Sequence, residues 1–141
     1  VGPYWYCADI SRTFVCGNDF NNNQKMLYSM SWEQINHNSK LIKADMSFKE
    51  FTEKSWKLPE EYYGNRYSVM VHGIGLCDEW PSIRYPTDGG DKSGRFLKNM
   101  TITVESYIGK VGGKEGVKLE QQYLVGENGL ELMSHHPLED I

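Results

Sequence analysis

Long apolar runs are missing from this sequence. The longest uncharged hydrophobic stretch is a handful of residues, well short of the roughly 20 that a helix needs to cross a bilayer. A charged lead followed by an apolar stretch is missing too, since Val1-Gly2-Pro3-Tyr4 has neither, so no secretory leader is read there. Cysteine is scarce and odd in number (Cys7, Cys16, Cys77), which makes no disulfide framework and points to a soluble, cytoplasmic protein in a reducing compartment. A basic excess is lacking: 15 Lys and Arg against 19 Asp and Glu leave a net charge of −4. That excludes the broad cationic footprint of a nucleic-acid binder. Neither a membrane nor a nucleic acid is therefore expected as a partner. What is present is ordinary for a folded domain: 39% hydrophobic residues and 14 glycines in 141 residues, enough apolar material to exclude intrinsic disorder and about the length of one domain. The chain opens on Val rather than Met, inside what reads as strand, so it is expected to be a piece of something longer.

Residues 4–16 are aromatic and β-branched and close on Gly17-Asn18-Asp19, which predicts a strand or hairpin. Residues 20–43 carry Tyr28, Trp32, Ile35 and Ile42 at helical spacing, which predicts one amphipathic helix with those four on its buried face. Ser47-Phe48-Lys49-Glu50 reads as a capping box opening a second helix that buries Phe48, Phe51 and Trp56 and stops before Pro59. A short turn over Pro59–Tyr63 ends at Gly64. The period then changes to two. Tyr67–Val71 is a short strand running into a His72-Gly73-Ile74-Gly75 turn, and residues 77–99 form a long loop. Residues 100–108, 117–125 and 130–133 alternate as strands. Helices first and an antiparallel meander after make the class α+β.

Glu105 and Glu120 sit mid-strand, opposite the apolar face. Alternation of this kind ordinarily aims such residues at solvent; the other reading is that the strands pair and the two carboxylates converge in a cleft. His72 stands beside glycines that let a ligand or backbone approach the ring, or it is simply structural. Asp9, among aromatic and β-branched neighbours, needs a donor set, a cation or a metal; Arg12 is an alternative structural partner. Three carboxylates and one imidazole suit a first-row divalent metal, though spacing alone does not require one.

Asp9-Ile10-Ser11-Arg12-Thr13-Phe14, His72-Gly73-Ile74-Gly75-Leu76, Thr103-Val104-Glu105 and Gly116-Val117-Lys118-Leu119-Glu120 occur in that order. Together they resemble the metal-site signatures of the pita-bread superfamily of creatinase, aminopeptidase P, prolidase and methionine aminopeptidase, over nearly the whole chain. The resemblance implies the C-terminal part of a pita-bread catalytic domain across residues 1–141, with Asp9, His72, Glu105 and Glu120 as metal ligands. It implies a dinuclear divalent centre, iron first, with manganese, cobalt or zinc as alternatives. The family's first aspartate would fall upstream of Val1, together with an N-terminal domain, and a homodimer is implied as well.

Two departures separate this chain from the peptidases of that superfamily. Where they carry a second histidine just before Glu-x-Pro, this chain has Asp78, followed by Glu79-Trp80-Pro81. Where they have Glu-Pro-Gly, it reads Glu105-Ser106-Tyr107. Both departures, the opening Val1–Thr13 and the stretch Gly112–Glu120 resemble the metallopeptidase-like dimethylsulfoniopropionate (DMSP) lyases. That branch implies Asp78 as the base and Tyr67 as a substrate contact. The implied reaction is β-elimination of DMSP to dimethyl sulfide and acrylate. The rivals are an Xaa-Pro aminopeptidase or prolidase-like hydrolase, and a non-catalytic pita-bread binding module.

Overall fold

In a computed structural model, residues 2–17, 19–76, 79–90 and 92–138 are described. After a 3-10 turn at Pro3–Trp5, the elements run α1 (Asn22–Leu41), α2 (Phe48–Lys54), α3 (Glu60–Tyr63), β1 (Val69–Gly73), β2 (Ser82–Arg84), β3 (Thr101–Gly109), β4 (Gly116–Val125) and β5 (Leu130–Leu132). The five strands form one antiparallel sheet in the order β2-β1-β3-β4-β5, the expected α+β layout.

Local chemistry sets the helix ends. Asn21 and Gln24 cap α1 reciprocally, satisfying two otherwise orphan N–H groups. At α2 only half of the expected box forms: Ser47 accepts from the Glu50 N–H, while the Glu50 carboxylate accepts from Lys54 at 2.6 Å. Trp56 lies beyond α2 and is only partly buried.

Helix α1 packs on β3 and β4, and the core joins Leu27, Tyr28 and Ile35 to Ile102, Val104, Ile108 and Leu119. Trp32 departs from the expectation, being 37% exposed. The buried face of α1 instead carries Ser31, Gln34 and Asn38. Gln34 accepts from Ser106 and donates to Tyr85, both at 2.6 Å, and Asn38 accepts from the Trp56 N–H at 2.9 Å. These bonds satisfy Gln34 and the Asn38 carbonyl oxygen inside the protein. Phe48, Phe51 and Phe96 form an edge-to-face cluster with centroids 4.9 and 5.7 Å apart; such pairs add about 0.5–1.5 kcal/mol each beyond their buried area.

Two further expectations are corrected. Residues 77–99 are not all loop, because Ser82–Arg84 pairs with β1. Residues 4–16 form no regular strand: they hold the edge of β4 by a single bridge, Ser11 to Glu120, and by the Thr13 hydroxyl, which donates to the Lys118 carbonyl at 2.8 Å and accepts from its N–H at 2.9 Å. The side chain replaces the backbone there and interrupts the ladder.

Candidate metal centre

Sheet register brings distant residues together. Glu105 lies directly opposite Glu120 across β3 and β4, and opposed residues of an antiparallel pair share a face with Cβ atoms about 5 Å apart. His72 faces Thr103 from β1, two residues along that face. From the outer edge of β4, Ser11 opposes Glu120, and Asp9 shares the face of Ser11 by the two-residue period. His72 thus belongs to β1 itself rather than to the turn after it.

All three strand residues are interior: Glu105 is 1%, Glu120 2% and His72 2% exposed. The solvent-facing expectation for the two glutamates is therefore overturned. The segment carrying Asp9 runs from Gly75, whose carbonyl accepts from Cys7 at 2.8 Å, to Glu120 on β4, and alternation no longer means exposure when both faces are covered. His72 Nε2 is 3.3 Å from Glu120 Oε1 and 3.7 Å from Glu105 Oε1. Donor atoms of Asp9, His72 and Glu120 all lie within 4.8 Å of one another.

Gly73 makes this approach possible. A Cβ there would meet the Trp80 carbonyl oxygen at 1.9 Å, so no other residue fits beside the histidine without moving the chain. The Gly73 carbonyl accepts from His72 Nδ1 at 3.0 Å. A carbonyl partner on one ring nitrogen fixes the tautomer and turns the other nitrogen to the cluster, as in metal-ligating histidines.

Electrostatics at the cluster are strongly perturbed. Burial pushes the Glu105 carboxyl up to about 7 against the opposing pull of Lys118, with Glu120's like charge adding to the rise. At Glu120 burial acts in the same direction, but hydrogen bonds from His72 and Ser11 and the charge of Lys118 outweigh it and hold the carboxyl below its ordinary value. Burial disfavours charging His72, yet its bonds to Glu120 and Gly73 and the neighbouring Glu105 carry it up to about 9. Glu105 Oε1 is buried without a hydrogen-bond partner. An open acceptor beside an imidazole is what a divalent cation would satisfy: Asp9, His72 and Glu120 fit the implied metal, while Glu105 is outside that trio and stands 3.7 Å from His72 Nε2.

Two residues assigned no role from sequence complete the cluster. The Lys118 ammonium contacts Glu105, lies 4.0 Å from Glu120 and stands 4.1 Å over the Tyr67 ring. The Ser11 hydroxyl donates to Glu120 Oε2 at 2.8 Å. Alternation already put Lys118 on the face of Glu120, the one available signal. Tyr67, 38% exposed, stands at the rim and donates to Glu79 at 3.4 Å; burial first and then the nearby glutamates push its hydroxyl up to about 12. Asp78 and Cys77 lie outside the described residues; Cys7 and Cys16 are free thiols. No helix among the described residues is long and apolar enough to cross a membrane.

The model of metallopeptidase family M24 matches residues 1–127. The chain is 35% identical to the dimethylsulfoniopropionate lyase DddP of Roseovarius nubinhibens, over 99% of this chain and 32% of that protein. Among solved structures, the X-Pro aminopeptidase of Thermotoga maritima superposes with a TM-score of 0.74 at 27% identity, over 95% of this chain and 37% of that one. The prolidase of Pyrococcus furiosus superposes with a TM-score of 0.72 at 27% identity, over 92% and 37%. The chain spans about a third of the length of the curated relatives it matches. By sequence and by its pita-bread fold, the chain belongs to metallopeptidase family M24.

Proposed function

We propose that the protein containing this chain is a metal-dependent DMSP lyase, eliminating dimethyl sulfide from DMSP to leave acrylate. The observation that carries this reading is a carboxylate-rich cluster with one imidazole. Among the described residues His72 is the histidine grouped with the carboxylates; His37 contacts the Lys54 carbonyl at 3.1 Å, and His136 packs against Phe14. Peptidases of this superfamily place a second histidine there to bind and protonate the peptide, and this chain has Asp78 at that point of the sequence. The 35% identity to a DMSP lyase along nearly the whole chain supports the same reading.

Asp9, His72, Glu105 and Glu120 would hold the metal, which when bound supplies a Lewis acid for the substrate carboxylate and the charge that builds at its α-carbon. The chain's own part is then acid–base and positioning chemistry. The Asp78 carboxylate takes the α-proton. The C–H electron pair becomes the C=C bond, and the β carbon–sulfur bond breaks with its pair on sulfur. Tyr67, neutral below about pH 12, stands at the rim of the cluster, and an aromatic face suits a sulfonium that has no N–H to donate.

A second reading is favoured by the solved neighbours, an X-Pro aminopeptidase and a prolidase: the same ligands would serve a hydrolase. Product separates the two. The intact protein given DMSP should release dimethyl sulfide into the headspace and no proline from an Xaa-Pro dipeptide; proline without dimethyl sulfide would establish the hydrolase instead. A native cytoplasmic homodimer and iron as the metal belong to this proposal.

A further inference from the structure

The outer edge of β4 is shared by two pieces of chain. Residues 118–120 of β4 bond to Ser11 and Thr13, while residues 123–125 pair with β5. The chain leaving β5 continues the second contact: Met133 N–H donates to the Gln122 carbonyl at 2.9 Å, and the Ser134 hydroxyl accepts from the Gln122 N–H at 3.2 Å and donates to Gln121 Oε1 at 2.8 Å. The two pieces meet at Gln121 and Gln122, and Asp9 N–H reaches Gln122 Oε1 at 3.3 Å at that seam.

Arg12 fills the seam. Its Nη1 donates to the carbonyls of Ser11 (2.8 Å) and Glu120 (2.6 Å), its Nη2 to Gln121 Oε1 and the His136 carbonyl (both 2.6 Å), and its Nε to the Pro137 carbonyl (3.0 Å). A guanidinium is the one side chain with a rigid fork of donors able to hold so many acceptors at once. It grips the Asp9–Ser11 segment, the backbone of Glu120 and the strap at residues 136–137 together. One displacement would move Asp9 away from Glu120, because the single Ser11–Glu120 bridge is otherwise all the backbone pairing that segment has with β4.

We infer that Arg12 is a positioning residue for the metal cluster, coupling the strap at His136-Pro137 to the placement of Asp9 against Glu120. The inference rests on the reading that this cluster holds a divalent metal. Groups that orient metal ligands typically account for 10–100-fold in metal affinity, and Arg12→Gln should fall in that range.

The test is titration of cobalt(II) into the chelated, intact protein, read by its visible d–d absorption and by calorimetry. Arg12→Gln is expected to bind cobalt 10–100-fold more weakly with a shifted d–d spectrum. Arg12→Lys, which keeps the charge and loses the fork, should not restore either, and Ser134→Ala, which loosens the strap and leaves Arg12 in place, should lose a smaller factor. Arg66→Gln, which breaks the bidentate Arg66–Asp88 pair, controls for general destabilisation and should leave cobalt affinity unchanged. Wild-type affinity and spectrum in folded Arg12→Lys or Ser134→Ala would overturn the inference; failure of the wild type to bind cobalt would instead overturn the metal reading beneath it.

Discussion

Among the described residues Lys118 and His72 are the groups ion-paired with the carboxylates of the buried glutamates, and Lys118→Met removes a charge while keeping most of the side chain's length. At 4.0 Å from Glu120 an ammonium contributes about 4 kcal/mol at an effective dielectric of 20, and Glu105 is closer. The ammonium is 32% exposed, so its own desolvation is partial. Removing one member of a buried pair costs about 3–5 kcal/mol, and that exposure argues for the lower end, about 3 kcal/mol. A divalent cation would supply the missing positive charge. Chelated Lys118→Met should therefore unfold several degrees below chelated wild type, with most of the gap closing when manganese(II) is added in large excess. Thermal unfolding of the intact protein, with and without manganese, measures both quantities. An equal loss in both conditions would mean that the lysine and the metal do not answer the same pair of carboxylates.

Gly73→Ala should lower cobalt affinity at least 10-fold although residue 73 is no ligand, since a Cβ there meets the Trp80 carbonyl and must push β1 and His72 aside; unchanged affinity by calorimetry would contradict that packing. Burial, opposed only in part by Gln34 and Arg66, pushes the Tyr85 hydroxyl up to about 12. The folded state thus keeps a proton that the unfolded chain releases near pH 10. The corresponding stability is intact below pH 10 and is lost as pH rises towards 12, by about 2–3 kcal/mol. Thermal midpoints over that window should fall more steeply for wild type than for Tyr85→Phe, and equal slopes would refute the assignment. Asp78→Ala should abolish dimethyl sulfide release while elemental analysis finds wild-type metal content, because a base is not a ligand; loss of the metal would show its role to be wrong.

The elements that could be read from sequence are those governed by local chemistry. Asn21 and Gln24 fix the start of α1, Ser47 that of α2, and the alternation of residues 100–108 and 117–125 gave both long strands. What escaped depends on partners remote in sequence. The exposure of Trp32 follows from Gln34 being claimed by Ser106 on β3 and by Tyr85 just after β2. Strand β2 is three residues beside prolines and exists because β1 pairs with it. The alternation that marked Glu105 and Glu120 as strand residues also aimed them at water, and partners remote in sequence, His72, Lys118 and Ser11, are what reverse the conclusion. The cluster itself came from four ordered motifs rather than from spacing. Lys118 and Arg12 were written in the same strings, but the Lys118 bond arises from the β3–β4 register and the Arg12 seam from the shared edge of β4, which no local pattern encodes.

In the proposed site Asp9, His72, Glu105 and Glu120 hold one divalent centre, and calorimetric titration of manganese(II) into the chelated, intact protein reads that binding without a substrate. Saturable binding is expected of the wild type, with a loss of at least about 100-fold in each of His72→Ala and Glu120→Gln, variants that remain folded by circular dichroism. Wild-type manganese affinity in those two folded variants would contradict it.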